Sequence, residues 1–246
     1  MHSVRRFLSL ALVASSCAVV AQAADMVQAS EIVNRVNARY GGLTTLEAEF
    51  VEIYRGQVRR GVARFKKPNL FHAKYTDGSG ELLMEVTANA KRLDVYLRNI
   101  HVVSQQDLTA DPNAQYMVNN NPMGFGRLAR AYSASYLESR DAVPVVTPAA
   151  ASAFGLGAAL DFTGVHIALY PRDITQGMDH LEWWVDGEGW VRRSRSTTIE
   201  GRVIDILFTA YRPGVAISDK EFDYDVPASA QVVKNALLRT EAAGGR

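Results

Sequence analysis

Residues 43–75 read LTTLEAEFVEIYRGQVRRGVARFKKPNLFHAKY. From Leu46 the apolar side chains recur every second residue. Leu46, Ala48 and Phe50 fall on one face of an extended chain, and Glu47 and Glu49 fall on the other, as far as Val51. Arg55-Gly56-Gln57 supplies turn chemistry, and "GVARFKK" and "LFHAKY" follow as further short strands. Pro68 interrupts the run just after Lys67. Proline removes a ladder hydrogen bond, so it marks the end of one strand and the start of the next. Phe65, Leu70, Phe71 and Tyr75 flank that break and must cover some apolar surface.

The same alternation continues outward. "ELLMEV", "RLDVYL" and "HVVSQ" are spaced by Asp77-Gly78-Ser79-Gly80, Asn89-Ala90 and Asn99. Such spacing predicts a meander of antiparallel hairpins. Upstream, Ile32, Val33, Val36 and Tyr40 have helical spacing behind a Ser30 N-cap, and Gly41-Gly42 stops the helix. The pattern breaks between about 110 and 158. There, Met123, Phe125, Leu128, Tyr132 and Tyr136 predict a helix after Pro122. "VPVVTPAAASAFGLGAAL" follows as a helical or loop segment packed on an apolar surface. Strands resume at "DFTGVHIALYP", "HLEWWVD", "WVRRSRSTTIE" and "RVIDILFTAYRP", with a hairpin turn at Asp186–Gly189. "SDKEFDYDVP" reads as a turn and a last edge strand ended by Pro227, with a partly disordered tail from Ala228.

A sheet of ten or so strands must curl or split. With few helices to cover it, the concave face is expected to be only partly filled by protein. We therefore expect one domain over residues 24–233, with a helical lid or insert at 110–158 and a flexible tail at 234–246.

The N-terminus is expected to be removed. Arg5 and Arg6 precede an apolar run from Phe7, and Ala21-Gln22-Ala23 offers a signal-peptidase site after residue 23. Residues 1–23 thus read as a signal peptide for export. The only cysteine, Cys17, lies inside that segment, which excludes disulfides and thiolate chemistry from the mature chain. The alternative is lipid anchoring through Cys17, although Val13 stands four residues before it rather than three. The formal charge of +1 becomes −1 once Arg5 and Arg6 are lost, which offers no field for nucleic acid or an anionic membrane.

No catalytic constellation emerges. His2, His72, His101, His166 and His180 show no metal-ligand spacing, and each reads as a strand or turn residue. A Gly-x-Ser-x-Gly elbow is absent. Gly124-Phe125-Gly126 and Gly155-Leu156-Gly157 lack the strand–turn–helix context of a nucleotide loop. Glu47 and Glu49 read as a solvated outer face, and "WVRRSRS" as an outer basic stripe with Arg192 pointing the other way. The chain is read as a non-enzyme without cofactor or metal.

The export signal, the opening helix and residues 43–75 together resemble the start of the LolA family, periplasmic carriers of outer-membrane lipoproteins. Phe65-Lys66-Lys67-Pro68-Asn69-Leu70-Phe71 matches the family's basic-proline-aromatic corner. "NPMGFGRL" is similar to its lid helix, and "LEWWVDGEGWVRRSRSTTIEGRVIDILFTAYR" and "FDYDVP" to its closing hairpin and final strand. The likeness covers about residues 28–130 and 160–233.

It implies a mainly β fold: an open, strongly curved antiparallel sheet, an incomplete β-barrel, with short helices over the concave mouth. It also implies an acyl-binding cavity. From the apolar strand faces, its walls would be Phe50, Phe71, Tyr75, Leu82, Met84, Val86, Leu93 and Val95, with Met123, Phe125 and Leu128 from the lid. Lys67 stands where the family has a lid-latching arginine, and lysine lacks that planar fork. The segment 133–158 is longer than the family's usual connection.

The implied role is a monomeric periplasmic shuttle of acylated lipoproteins. An inner-membrane ABC lipoprotein-releasing complex would load it, and an outer-membrane acceptor lipoprotein would unload it. Alternatives on the same fold are a binder of another lipid or glycolipid, and a lipid-responsive sensor or regulator.

Overall fold

In the computed structural model, residues 29–89, 91–109, 125, 131–172 and 178–234 are described. The stretch read as a signal peptide, Met123, Leu128 and most of the stretch read as a lid helix lie outside them. Helix α1 (29–41) is followed by β1 (Thr45–Tyr54), β2 (Gln57–Lys66), β3 (Leu70–Thr76), β4 (Leu82–Ala88), β5 (Arg92–Leu97) and β6 (Val102–Asp107). Then come β7 (Tyr132–Tyr136), β8 (Val143–Pro144), α2 (Pro148–Ala153) and β9 (Thr163–Pro171). β10 (Met178–Val185), β11 (Val191–Thr198), β12 (Val203–Pro213), a 3-10 turn (Asp219–Phe222) and β13 (Gln231–Lys234) complete the order.

The strands form one sheet in the order β13-β6-β5-β4-β3-β2-β1-β12-β11-β10-β9-β7, and β8 pairs β9 beside it. Every pairing is antiparallel except β13 with β6. The hairpins form where the turn residues require them. Arg55 and Gly56 both take positive φ, 51° and 74°, which gives the tight two-residue connection between Tyr54 and Gln57. Asp186 Oδ1 accepts from the backbone N–H of Glu188 and of Trp190 and so fixes the β10–β11 turn. Pro68 lies in the β2–β3 turn, behind a cis bond from Lys67.

The sheet is open, and its curvature follows from its core. Ile32, Val33, Val36 and Tyr40 of α1 belong to one cluster with side chains from β7 through to β3. Laid flat, those eight strands would span about 34 Å, whereas a helix is about 10–12 Å across. Side chains of all eight join one core with the helix only because the sheet curls around it. The α1 face is therefore concave, and the chain has the open, curved, mainly β fold that the resemblance implied.

The convex face has two covers of its own. Val145, Val146, Ala151 and Phe154 pack on Val51, Trp184 and Leu207. Thr147 caps α2 by accepting from Ala150 N at 3.2 Å, with Pro148 opening the helix. Further along, residues 217–224 cross behind β2–β6. Lys66 Nζ lies 2.6 Å from Asp219, Arg64 Nη1 lies 2.8 Å from Glu221, and Tyr224 packs on Tyr96.

Several sequence expectations change. Ala29 is already helical and buried, so Ser30 lies within α1 rather than capping it. Tyr132–Tyr136 is a strand rather than a helix: Tyr132 and Ala134 enter the concave core, and the intervening serines face away. α2 covers the convex face instead of the mouth. The last described strand is β13, in the stretch read as a disordered tail, whereas 219–227 forms a 3-10 turn and irregular chain.

The basic stripe is also different. Arg193 is buried, with Nε 2.9 Å and Nη2 2.7 Å from the Asp205 carboxylate. Its guanidinium lies over Trp184 and Phe154 and donates to Val145 O. The charge anchors the convex cover.

Candidate functional site

The concave face divides into two areas. Over β9–β12 and β1 it is filled. Tyr40 meets Phe125 edge-on at 5.5 Å and Trp190 at 5.3 Å, and Phe125 also lies 4.9 Å from Trp183 and 6.1 Å from Phe208. Tyr40 Oη donates to Tyr211 Oη at 3.1 Å and accepts from Val191 N, and burial pushes its phenol well above the usual range.

Over β3–β6 the registers build a different surface. Phe71, Ala88, Leu93 and Gln106 lie in one row across the four strands. Ala73, Val86, Val95 and Ser104 form the next row, and Tyr75, Met84, Leu97 and Val102 the third. Strand spacing and rise make this floor about 14 Å by 14 Å. In the first row only Phe71 is partly exposed, while every side chain of the third row is half-buried. The floor is therefore closed at the Leu93 end, where Leu108 packs, and opens toward Tyr75 and Leu97.

The structure thus brings Phe71, Tyr75, Met84, Val86, Leu93 and Val95 together on one face. Phe50 stands beside them, edge-on to Tyr75 at 5.1 Å, but is only 5% exposed within the α1 core. Its ring lies over Gly61, where a Cβ would sit 2.3 Å from Phe50 Cζ. Phe125 is 3% exposed and belongs to the filled area. Leu82 is set apart by an irregularity between Tyr75 and Thr76 and pairs with Thr76. Lys67 Nζ donates to Gly41 O at the end of α1, so among the described residues it holds the opening helix to the β2–β3 corner.

Sequence reading missed Leu97, Val102, Ser104, Gln106 and Leu108. Leu97 was available from the alternation Leu93, Val95, Leu97. Ser104 and Gln106 show their placement only once the β5–β6 register is known.

Polar groups flank the floor. Beyond Tyr75, Glu52 is buried against Arg59, whose guanidinium also lies over Tyr54 and Tyr75. Burial raises the Glu52 carboxyl above its ordinary value, and Arg59 pulls the other way. Arg59 Nε has no partner among the described residues. The convex face carries two pockets of about 500 and 900 Å³. Their charged walls are largely paired: Arg64 with Glu47, His72 with Glu85, and Arg195 with Asp205. Among the described residues, no group of three or more His, Cys, Asp or Glu side chains could hold a metal.

An open, curled sheet with a helix on its concave side and an adjoining half-exposed apolar floor defines the class of protein. No family model matches the chain, and no curated protein matches it in sequence. Solved structures do match. An uncharacterized conserved protein from Thermus thermophilus superposes with a TM-score of 0.51 at 14% identity, over 85% of this chain and 99% of that one. The structures similar to this chain also include LolA-superfamily proteins. One from Nitrosomonas europaea has a TM-score of 0.39 at 9% identity, over 80% of this chain and 97% of that one. The Pseudomonas aeruginosa MucA/MucB complex has a TM-score of 0.43 at 18% identity, over 84% of this chain and 63% of that one. At these identities the likeness concerns the fold.

Proposed function

We propose that the chain is a periplasmic carrier that shelters the acyl chains of lipoproteins on the β3–β6 floor and moves them from the inner to the outer membrane. One observation carries the reading: nine apolar side chains of three adjacent strands share the concave face, and only Ala73, Ala88 and Leu93 are fully buried. A protein with no use for that surface would bury it, as this one does a few strands away.

Burying a methylene is worth roughly 0.8 kcal/mol, so a sixteen-carbon chain gains about 12 kcal/mol from full shelter. A floor of Met, Val, Leu and Tyr accepts disordered hydrocarbon without fixing one conformation. Because it shelters one side only, its grip is weaker than that total, and an acceptor can take the cargo. Phe71 and Tyr75 bound the floor on the α1 side. Among the described residues, Lys67 secures α1 through the Gly41 carbonyl. The partners that follow are acylated lipoproteins, the inner-membrane ABC complex that releases them and the outer-membrane acceptor, with the carrier acting as a monomer without catalysis.

The test is binding of a fluorescent fatty-acyl probe by Met84→Glu and Val95→Glu variants. Both side chains are half-buried, so each variant is expected to fold with a near-native circular dichroism spectrum and to lose the probe. Unchanged binding would overturn the site.

A further inference from the structure

The larger convex pocket, of about 900 Å³, is open to solvent and has an uneven charge balance. One wall is α2, through Ala150 and Ala153. The other is two adjoining hairpin turns, which contribute Arg55 and Gly56 after β1 and Gly201 and Arg202 before β12. Four arginines line it, Arg55, Arg193, Arg195 and Arg202, against two carboxylates, Glu182 and Asp205. Both carboxylates are already committed. Asp205 accepts from Arg193 at 2.9 and 2.7 Å and from Arg195 at 3.1 and 3.0 Å. Glu182 lies 3.0 Å from His166 Nε2 and 3.8 Å from Arg195 Nη1.

Two guanidiniums are left over. Arg55 is exposed on its turn. It lies 5.3 Å from the Tyr54 ring, and its side chain has no carboxylate or hydrogen-bond partner among the described residues. Arg202 pairs with Glu200, outside the pocket, and the two side chains are 53% and 64% exposed. An ion pair so exposed contributes little, and another anion can replace its carboxylate. The smaller pocket is the contrast. There Arg60 donates to the Gly155 carbonyl, Arg64 pairs with Glu47 and Glu221, and Lys74 faces Glu85.

The surplus narrows the ligand. Guanidinium forks match carboxylate and phosphate oxygens. Arg55, Arg195 and Arg202 reach one cavity from three separate segments. A carboxylate has two oxygens to offer them. A phosphate monoester has three, with close to two negative charges, and can meet all three guanidiniums. The volume is of the size that holds a small organic ligand rather than a bare ion. Beside the pocket, Ile199 at the tip of the β11–β12 turn is 66% exposed and Val203 is 44% exposed. Ile199 is the most exposed large apolar side chain among the described residues. A phosphate carried on an apolar body would use both features.

We propose that this pocket is a phosphate-binding site, with Arg55 and Arg202 as its principal ligands and Arg195 at its floor, and that it takes the phosphate monoester of a lipid head group. It lies on the opposite face from the acyl floor and does not rest on the carrier reading.

The experiment uses the full chain at constant ionic strength. Glycerol 3-phosphate binding is measured by calorimetry. Co-sedimentation is measured with vesicles of phosphatidylcholine alone and of phosphatidylcholine mixed with phosphatidate. The wild type is expected to bind glycerol 3-phosphate saturably and to sediment only with the phosphatidate vesicles. The double variant Arg55→Ala, Arg202→Ala is expected to weaken both by about tenfold or more, because hydrogen bonds to charged groups are the stronger ones. Both side chains are exposed, so its urea midpoint should match the wild type. Arg98→Ala removes an exposed arginine that pairs with Glu81 elsewhere, and is expected to change neither binding. Ile199→Ser should weaken vesicle binding alone. Glycerol 3-phosphate binding that the double variant loses, without vesicle binding, would keep the site and overturn the lipid source in favour of a free phosphorylated compound. Absence of saturable binding to either probe, binding that survives the double variant, or an equal loss in Arg98→Ala would overturn the site. Acyl-probe binding on the floor is expected to be the same in all these variants, so the carrier reading stands or falls separately.

Discussion

Two areas of one concave face carry the same alternating pattern and have opposite fates. Over β9–β12, Trp183, Ile167, Leu169, Leu181 and Phe208 are 3% exposed or less beneath α1 and Phe125. Over β3–β5, Tyr75, Met84, Val86, Val95 and Leu97 remain half-buried. Period-two hydrophobicity states that a face is apolar, not what covers it. The cover is set by one amphipathic helix and a set of large aromatic rings, which reach about as far as β3. Core and candidate site are thus the same surface, separated by the reach of α1.

The sharpest way to break this comparison is to truncate one residue on each side. Trp183→Ala is expected to lose about 3–5 kcal/mol in urea unfolding, as large-to-small core changes do. Met84→Ala is expected to stay within about 1 kcal/mol. Similar losses would mean that the two areas are equally packed. Asp205→Ala tests the convex cover, because it leaves Arg193 buried between Trp184 and Phe154 with only the Val145 carbonyl and no carboxylate. Breaking a buried pair on one side costs about 3–5 kcal/mol. Limited proteolysis should then cut first within 143–162.

Gly61→Val probes the boundary between the areas. The added Cβ would lie 2.3 Å from Phe50 Cζ and 2.6 Å from the Lys74 carbonyl. A loss of about 1–3 kcal/mol is expected from overpacking, with Phe50 displaced toward the floor and weaker acyl binding.

The smallest effect is on pH dependence. Hydrogen bonds from His72 and His166 hold the Glu85 and Glu182 carboxyls below their ordinary value of 4.5, and Arg64 does the same for Glu47. A depressed carboxylate contributes stability that is fully present above its unfolded pKa and is lost as pH falls through its folded one. The urea midpoint should therefore decline below about pH 4.5, and Glu182→Gln should flatten that decline.

Much of the sheet was legible because hairpin turns and alternation are local. β1–β6 and β9–β12 stand close to where "LEAEFVEIY", "RLDVYL" and "LEWWVD" put them. β7 was misread because Tyr132 and Tyr136 are four apart, which satisfies a helix and a strand alike; the serines at 133 and 135 were the deciding signal. β13 was missed because four residues pairing in parallel with β6, far away in sequence, leave no local mark.

Arg193 and Arg195 looked solvated because the carboxylate that pairs with them, Asp205, lies on the next strand and the cover comes from 145–154. Six of the eleven predicted cavity residues do share the floor. Gln106 could not be found from sequence, since a glutamine in "VVSQQD" gains meaning only from the register that sets it opposite Leu93.

The central claim is that the floor over β3–β6 is left open for hydrocarbon. Native mass spectrometry of the protein purified from the cells that make it tests it most directly. The account predicts a bound population heavier by an acylated ligand, stripped by detergent and absent from the Met84→Glu variant. A single mass equal to the bare chain, from cells in which acylated lipids and lipoproteins are abundant, would contradict it.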